Sequence, residues 1–335
     1  MDRFLDCPRR GACRLDDPRR PVACDLSGEP LAEFATTAKA SPDREVDPAA
    51  MRCSTGLISN LCGVFGLAVV FMLDVSLQRA DAGESKPLRW LFATRGAIAM
   101  ASDADISGLL DGAQPFVISG RSLSDIPAGW QAVPLSSFKS FDEIRNALET
   151  NALGSDVRGV MYDYEKWRFT PAEEQQNPAR YLKQAADLVH ARGLLFFTAP
   201  AVDLVTVLAP DGDRKHQDET YLRLGLAADA ARYADVFDIQ SQRFERDTEL
   251  YATFVRAAAA QARQANPKVI VLAGVSTQPS GQHVTADDIL RAIEATRDVV
   301  DGYWFNIPGP SAYSPAVTEF RPDIAVDVLR QLAGR

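Results

Sequence analysis

The chain has 335 residues, is 46% hydrophobic and carries a formal charge of −9. That balance describes a soluble globular protein, and its acidic sign argues against nucleic acid or an anionic membrane surface as a partner. All the cysteines, Cys7, Cys13, Cys24, Cys53 and Cys62, precede residue 63, so the later chain has no disulfide and no thiolate chemistry. The three histidines, His190, His216 and His283, are far apart in sequence, which argues against a His-rich zinc site.

Residues 1–50 are rich in Arg, Asp, Pro and Ala without a sustained period, and read as disordered or as an extension upstream of a true start at Met51. Residues 51–82 read as a leader. Arg52 precedes an apolar run over 57–73, broken only by Ser59 and Asn60, and Ala80-Asp81-Ala82 then supplies a cleavage site. An uncleaved membrane anchor is the rival reading. Either one makes the remainder secreted or extracytoplasmic. Residues 83–335 have the length of roughly 250 residues that a (β/α)8 barrel takes.

Within 83–335, strand and helix signals alternate. Strands are expected at 88–94, 115–119, 130–135, 157–165, 194–199, 236–242, 268–276 and 302–307. A short helix is expected at 103–110. A second follows at 141–150, with Ser140 as N-cap and Glu143 at its capping-box position. Others are expected at 177–191, closed by Gly193; at 219–233; and at 248–265, ended by Asn266-Pro267. The last two are at 285–299, capped by Thr285 with Asp288 three residues on, and at 322–332. Eight strands with helical crossovers make a single-domain α/β fold, the (β/α)8 TIM barrel. The doubly wound open sheet is the alternative. It ranks lower because Thr94-Arg95-Gly96-Ala97, after the first strand, is not a glycine-rich phosphate loop.

Such a barrel carries its chemistry at the C-terminal ends of its strands. The fourth strand ends in Tyr162-Asp163-Tyr164-Glu165-Lys166-Trp167. By the period of two, Met161, Asp163 and Glu165 face the barrel interior, and Val160, Tyr162 and Tyr164 pack outward under helices. A bland reading pairs Glu165 with Arg95 or Lys166 in a structural ion pair. Elsewhere the strand ends offer amides and aromatics, which suit a neutral polyhydroxyl ligand, while carboxylates suit glycosidic bond cleavage. Glu165, Asp163 and Asp238 are therefore the expected catalytic residues. Trp304, Gln240, Gln242, Trp167, Asn306, Tyr303 and Arg95 are the expected substrate contacts. No metal or cofactor is called for.

This pattern resembles the family 18 glycoside hydrolases, the chitinase type, whose fourth strand ends in DxxDxDxE. Aligned on the last acid, the chain reads Arg158-Gly159-Val160-Met161-Tyr162-Asp163-Tyr164-Glu165, so the final D-x-E matches and Arg158 and Met161 replace the first two Asp. The resemblance implies a barrel in which Glu165 protonates the leaving oxygen, Asp163 orients the substrate's 2-acetamido group and Trp304 floors the cleavage subsite. Strand six departs from the family in lacking its Tyr. Strand seven ends in Ser276-Thr277 and offers no carboxylate, so substrate assistance or a nucleophile such as Asp203 or Asp238 is required. The expectation is a secreted glycosidase acting on a cell-wall or extracellular polysaccharide. The alternatives are a non-catalytic carbohydrate-binding protein on the same scaffold, favoured by Arg158 and Met161, and a Mg²⁺- or Ca²⁺-dependent lyase or hydrolase using Asp163, Glu165 and Asp238 as oxygen ligands.

Overall fold

The computed structural model describes residues 87–334, apart from 112, 120–125, 128 and 312–314. The expected extension at 1–50 and leader at 51–82 lie outside these residues. No helix among the described residues is long and apolar enough to cross a membrane.

Eight strands close into one parallel barrel in sequence order. They are β1 (Arg89–Ala93), β2 (Phe116–Ile118), β3 (Val133–Phe138), β4 (Gly159–Tyr162), β5 (Leu195–Thr198), β6 (Val236–Ile239), β7 (Ile270–Ser276) and β8 (Gly302–Asn306). Each strand sends a side chain into the centre: Leu91, Phe116, Leu135, Met161, Phe197, Val236, Leu272 and Trp304, in order from β1 to β8. This plug makes the barrel a packed core and not a channel. Met161 is one of its members, which accounts for an apolar residue where the chitinase-type motif has an acid. The alternate residues pack outward: Val160, Tyr162 and Tyr164 join the layer beneath the helices, with the two tyrosine rings 4.8 Å apart. The Tyr162 hydroxyl donates to Glu174, whose carboxylate also accepts the Phe141 N–H at 2.9 Å.

The helices are α1 (Thr94–Ala101), α2 (Ala104–Asp111), α3 (Phe141–Glu149), α4 (Ala172–Gln176), α5 (Pro178–His190), α6 (Val205–Leu208), α7 (Gln217–Leu224), α8 (Leu226–Ala231), α9 (Thr248–Ala265), α10 (Ala286–Glu294) and α11 (Pro322–Ala333). The Ser140 hydroxyl accepts the Glu143 N–H at 3.2 Å, while the Glu143 carboxylate accepts the Lys139 N–H and not that of the cap residue. Thr285 and Asp288 form a full capping box on α10.

Several elements depart from the sequence expectation: β4, expected over 157–165, stops at Tyr162, and the short helices α4 and α6 stand where none was expected. Helix α1 was not foreseen: its start has no side-chain cap, and its apolar pattern is short. Strand β3 begins three residues late because Trp130 leaves the sheet line, its ring against Phe92 and its Nε1–H donating to Ser107 Oγ at 3.0 Å. The helix expected over 219–233 is two helices broken at Gly225. Strand β6 stops at Ile239, where the Ser241 N–H turns back to the Ile239 carbonyl at 2.7 Å.

The barrel closes between β1 and β8, and Gly302 makes the closure feasible. A Cβ there would lie 1.9 Å from the Arg89 carbonyl oxygen of the neighbouring strand. Backbone cannot retreat as a flexible side chain can, so Gly302→Ala is expected to lower the unfolding free energy by ~3 kcal/mol or more, read as a lower urea midpoint. An unchanged midpoint would show that the seam tolerates a side chain.

Candidate active site

A cleft of about 340 Å³ opens at the C-terminal ends of the strands. Glu165 forms one wall. Ala201, Val202 and Asp203 enter from the segment after β5, and Gln240, Gln242 and Arg243 from the segment after β6. Trp304 and Asn306 lie on β8, and Pro315, Ala316 and Val317 form the far lip. Gln278 fastens that lip: its Nε2 donates to Thr318 Oγ1 at 3.4 Å and its Oε1 accepts the Glu319 N–H at 3.2 Å.

One amide organises the acids. Gln240 Nε2 donates to the Ala199 carbonyl at 2.9 Å, to Asp163 Oδ1 at 3.1 Å and to Glu165 Oε1 at 3.4 Å. A primary amide carries two hydrogens, so three acceptors cannot all be fully served. Burial is the main force raising the Glu165 carboxyl, helped by the nearby Asp203; the Gln240 bond, Lys139 and Arg243 oppose it, and the result lies at about 7. Asp163 is held well above the usual range, first by burial and then by Glu165 and Asp238. Asp203 is also raised by burial, against the Lys166 N–H that donates to its Oδ1 at 3.3 Å. Near neutral pH this arrangement holds a proton on the Asp163–Glu165 pair, the condition for general-acid work.

Gln242 reaches the cleft by a route that strand periodicity does not give. It leaves β6 on a 3-10 turn (Gln242–Phe244), and its amide folds over Gly274, where a Cβ would come within 2.4 Å of Gln242 Cδ. Trp304 is 8% exposed, and its ring joins the central plug while meeting the cleft. Behind the wall, the fully buried Glu245 accepts the Ser276 N–H at 2.8 Å and so fixes the end of β7.

Several expected site residues stand elsewhere. Asp238 faces inward but is sealed: it is 2% exposed, and neither carboxylate oxygen has a partner among the described residues. Burial raises it well above the usual range, so it is a neutral acid inside the barrel and cannot touch a substrate. Tyr303 points outward, since the alternation that turns Trp304 and Asn306 inward turns it away; its hydroxyl donates to the Ile293 carbonyl at 2.8 Å. Arg95 is the second residue of α1 and stacks on Phe320 at 4.2 Å, away from the acids. Trp167 stands at the rim: its Nε1–H donates to Thr170 Oγ1 at 2.8 Å, with Phe169 edge-on and the Lys139 ammonium 4.8 Å from its ring. Among the described residues no ion pair holds Glu165, so the structural pairing with Arg95 or Lys166 does not form.

Arg243 was missed. It follows Gln242 directly, but a strand extended through residue 242 hides the turn that carries it into the cleft. The metal-dependent alternative requires Asp163, Glu165 and Asp238 to converge on one point. Among the described residues no group of three acids, histidines or cysteines does so.

Neither a protein-family model nor a curated protein matches the chain. Similar solved structures include a GH18 chitinase from Pseudoalteromonas aurantia, 12% identical over 74% of this chain and 99% of that one, TM-score 0.44. A chitinase from Chromobacterium violaceum is 12% identical over 74% and 100%, TM-score 0.42. Hydroxymethylglutaryl-CoA lyase from Pseudomonas aeruginosa is 14% identical over 74% and 86%, TM-score 0.46. Glycoside hydrolases and a lyase thus stand side by side. Likenesses this distant carry no functional argument, and the fold rests on the closed strand order itself.

The raised Glu165 has a sign that can be tested. Its folded value lies above its unfolded one, so the folded state binds more protons between about pH 4.5 and 7, and stability falls as pH rises through that window. Glu165→Gln should remove a loss on the order of 1–3 kcal/mol across it, read from urea midpoints at pH 5 and pH 8. An equal pH slope in both proteins would mean that Glu165 titrates normally.

Proposed function

We propose that this barrel is a glycosidase that cleaves an oligo- or polysaccharide outside the cytoplasm, with Glu165 as general acid and base. The observation that supports it most is a carboxyl poised at about pH 7 that opens into a cleft beside a second carboxylate, amides and an indole. Glycosidic cleavage needs a proton for the leaving oxygen and a negative group for the oxocarbenium ion. Protonated Glu165 provides the first. Asp203 is the acid that shares the cleft with it, so the second role falls to Asp203 in preference to the sealed Asp238. Asp163 does not line the cleft, and its part is electrostatic: burial and the neighbouring Glu165 hold its carboxyl well above the usual range, so that the two acids do not ionise together. Gln240 keeps the two acids in register, and Trp304 offers an apolar wall to the C–H face of a sugar ring.

The apolar leader over 57–73 supports export, and protein recovered outside the cytoplasm should begin at Gly83; an intact leader on exported protein would instead mean an anchor. One observation favours a carbohydrate-binding role without catalysis. Of the two replaced motif positions, Met161 is committed to the central plug, and Arg158 donates to the Ser155 carbonyl at 2.9 Å, among the residues preceding β4 and away from the cleft.

Glu165→Gln decides between the two. Turnover of a matched polysaccharide should fall by roughly 10²–10⁴-fold, measured as released reducing ends, while binding persists. Unchanged turnover would remove Glu165 from the mechanism. Binding by the native protein with no hydrolysis would select the non-catalytic role.

A further inference from the structure

Several arginines on the helical exterior are ion-paired. Arg145, Arg180, Arg232, Arg256, Arg291 and Arg330 each meet an Asp or Glu within 4 Å. Arg243 is set apart by its place. It lines a cleft that contains Glu165 and Asp203, yet among the described residues no carboxylate lies within ion-pair distance of it. Its Nη1 donates instead to the neutral Gln217 Oε1 at 2.8 Å, at the start of α7. That tether fixes the guanidinium while leaving most of its five N–H groups without an acceptor among the described residues.

If Arg243 served only to balance the two acids, direct pairing would be the more favourable geometry, because a charge-assisted fork is stronger than a bond to an amide. Holding a cation beside two acids but off both leaves space between them. The lining around that space includes the amide of Gln242, which suits sugar hydroxyls. A planar guanidinium fork matches a carboxylate in two parallel charge-assisted bonds, roughly twice as strong as the bonds it can give to the hydroxyls of an unsubstituted neutral sugar.

We infer that Arg243 makes the subsite beside Glu165 one for an acidic sugar, a uronic-acid unit whose carboxylate takes the free edge of the guanidinium. This rests on the glycosidase reading and narrows its substrate class. It also gives the acidic protein a way to accept an acidic polymer, since the repulsion from Asp203 is met at the point of contact by a fixed positive charge.

Binding to the full-length Glu165→Gln protein tests it by calorimetry, with a neutral glucose trisaccharide, a tri-uronate and a sulfated neutral trisaccharide as probes. The expected order places the tri-uronate at least about tenfold tighter than the neutral trisaccharide, as one charge-assisted contact gives. Adding Arg243→Gln should weaken the tri-uronate ~10–100-fold and leave the neutral probe nearly unchanged, with Arg243→Lys in between. Equal binding of neutral and acidic probes, or an equal loss for both on Arg243→Gln, would overturn the acidic subsite and leave the glycosidase reading standing. Preference for the sulfated probe would overturn the carboxylate assignment. Failure of all three to bind would overturn both readings together.

Discussion

A single side-chain amide with three acceptors governs this site. Gln240 gives its two hydrogens to Ala199, Asp163 and Glu165, with the longest contact at Glu165. Two partly desolvated carboxyls that compete for so few donors cannot both be ionised at low cost. The structure therefore keeps a proton there through burial and a shortage of donors. Its position follows from β4, whose alternation commits Met161 to the central plug and lifts Asp163 and Glu165 in turn toward the mouth. Moving β4 by one residue would bury Tyr162 and Tyr164 inside and turn both acids under the helices.

The interior is unusually tolerant of acids. Asp238 is buried with neither oxygen partnered among the described residues, and Glu245 is buried with one oxygen satisfied. Both are pushed well above the usual carboxylate range by burial and so stay neutral. Asp238 still matters to the site, because its proximity helps to hold the Asp163 carboxyl above the usual range. The acids thus form a gradient from sealed and neutral at Asp238, through the shared pair, to the open Asp203.

Most of the fold was legible because the barrel is built on repetition. Eight apolar runs, the Ser140 and Thr285 caps and the Asn266-Pro267 stop all carry local signals that tertiary packing does not reverse. The site was legible on the strands and just past their ends: Trp304 and Asn306 lie on β8, while Glu165 and Gln240 lie beyond the ends of β4 and β6, and all four meet around one opening. The same period turns Tyr303 away from Trp304 and Asn306, so expecting it as a substrate contact ran against the alternation. It also could not separate Asp238, one layer too deep, from Gln240 above it, since depth along a strand depends on where the neighbouring strands end. Arg243 and Gln242 enter by a turn and a glycine gap, and only the close approach to Gly274 reveals that path.

The most direct test of the central claim is a crystal structure of the Glu165→Gln protein with a bound oligosaccharide. The account predicts a glycosidic oxygen within about 3 Å of the residue-165 side chain, a sugar ring against Trp304 and Asp203 on the same side of the bond as the anomeric carbon. A sugar seated at another face of the barrel, or a residue-165 side chain turned from the bound sugar, would contradict it.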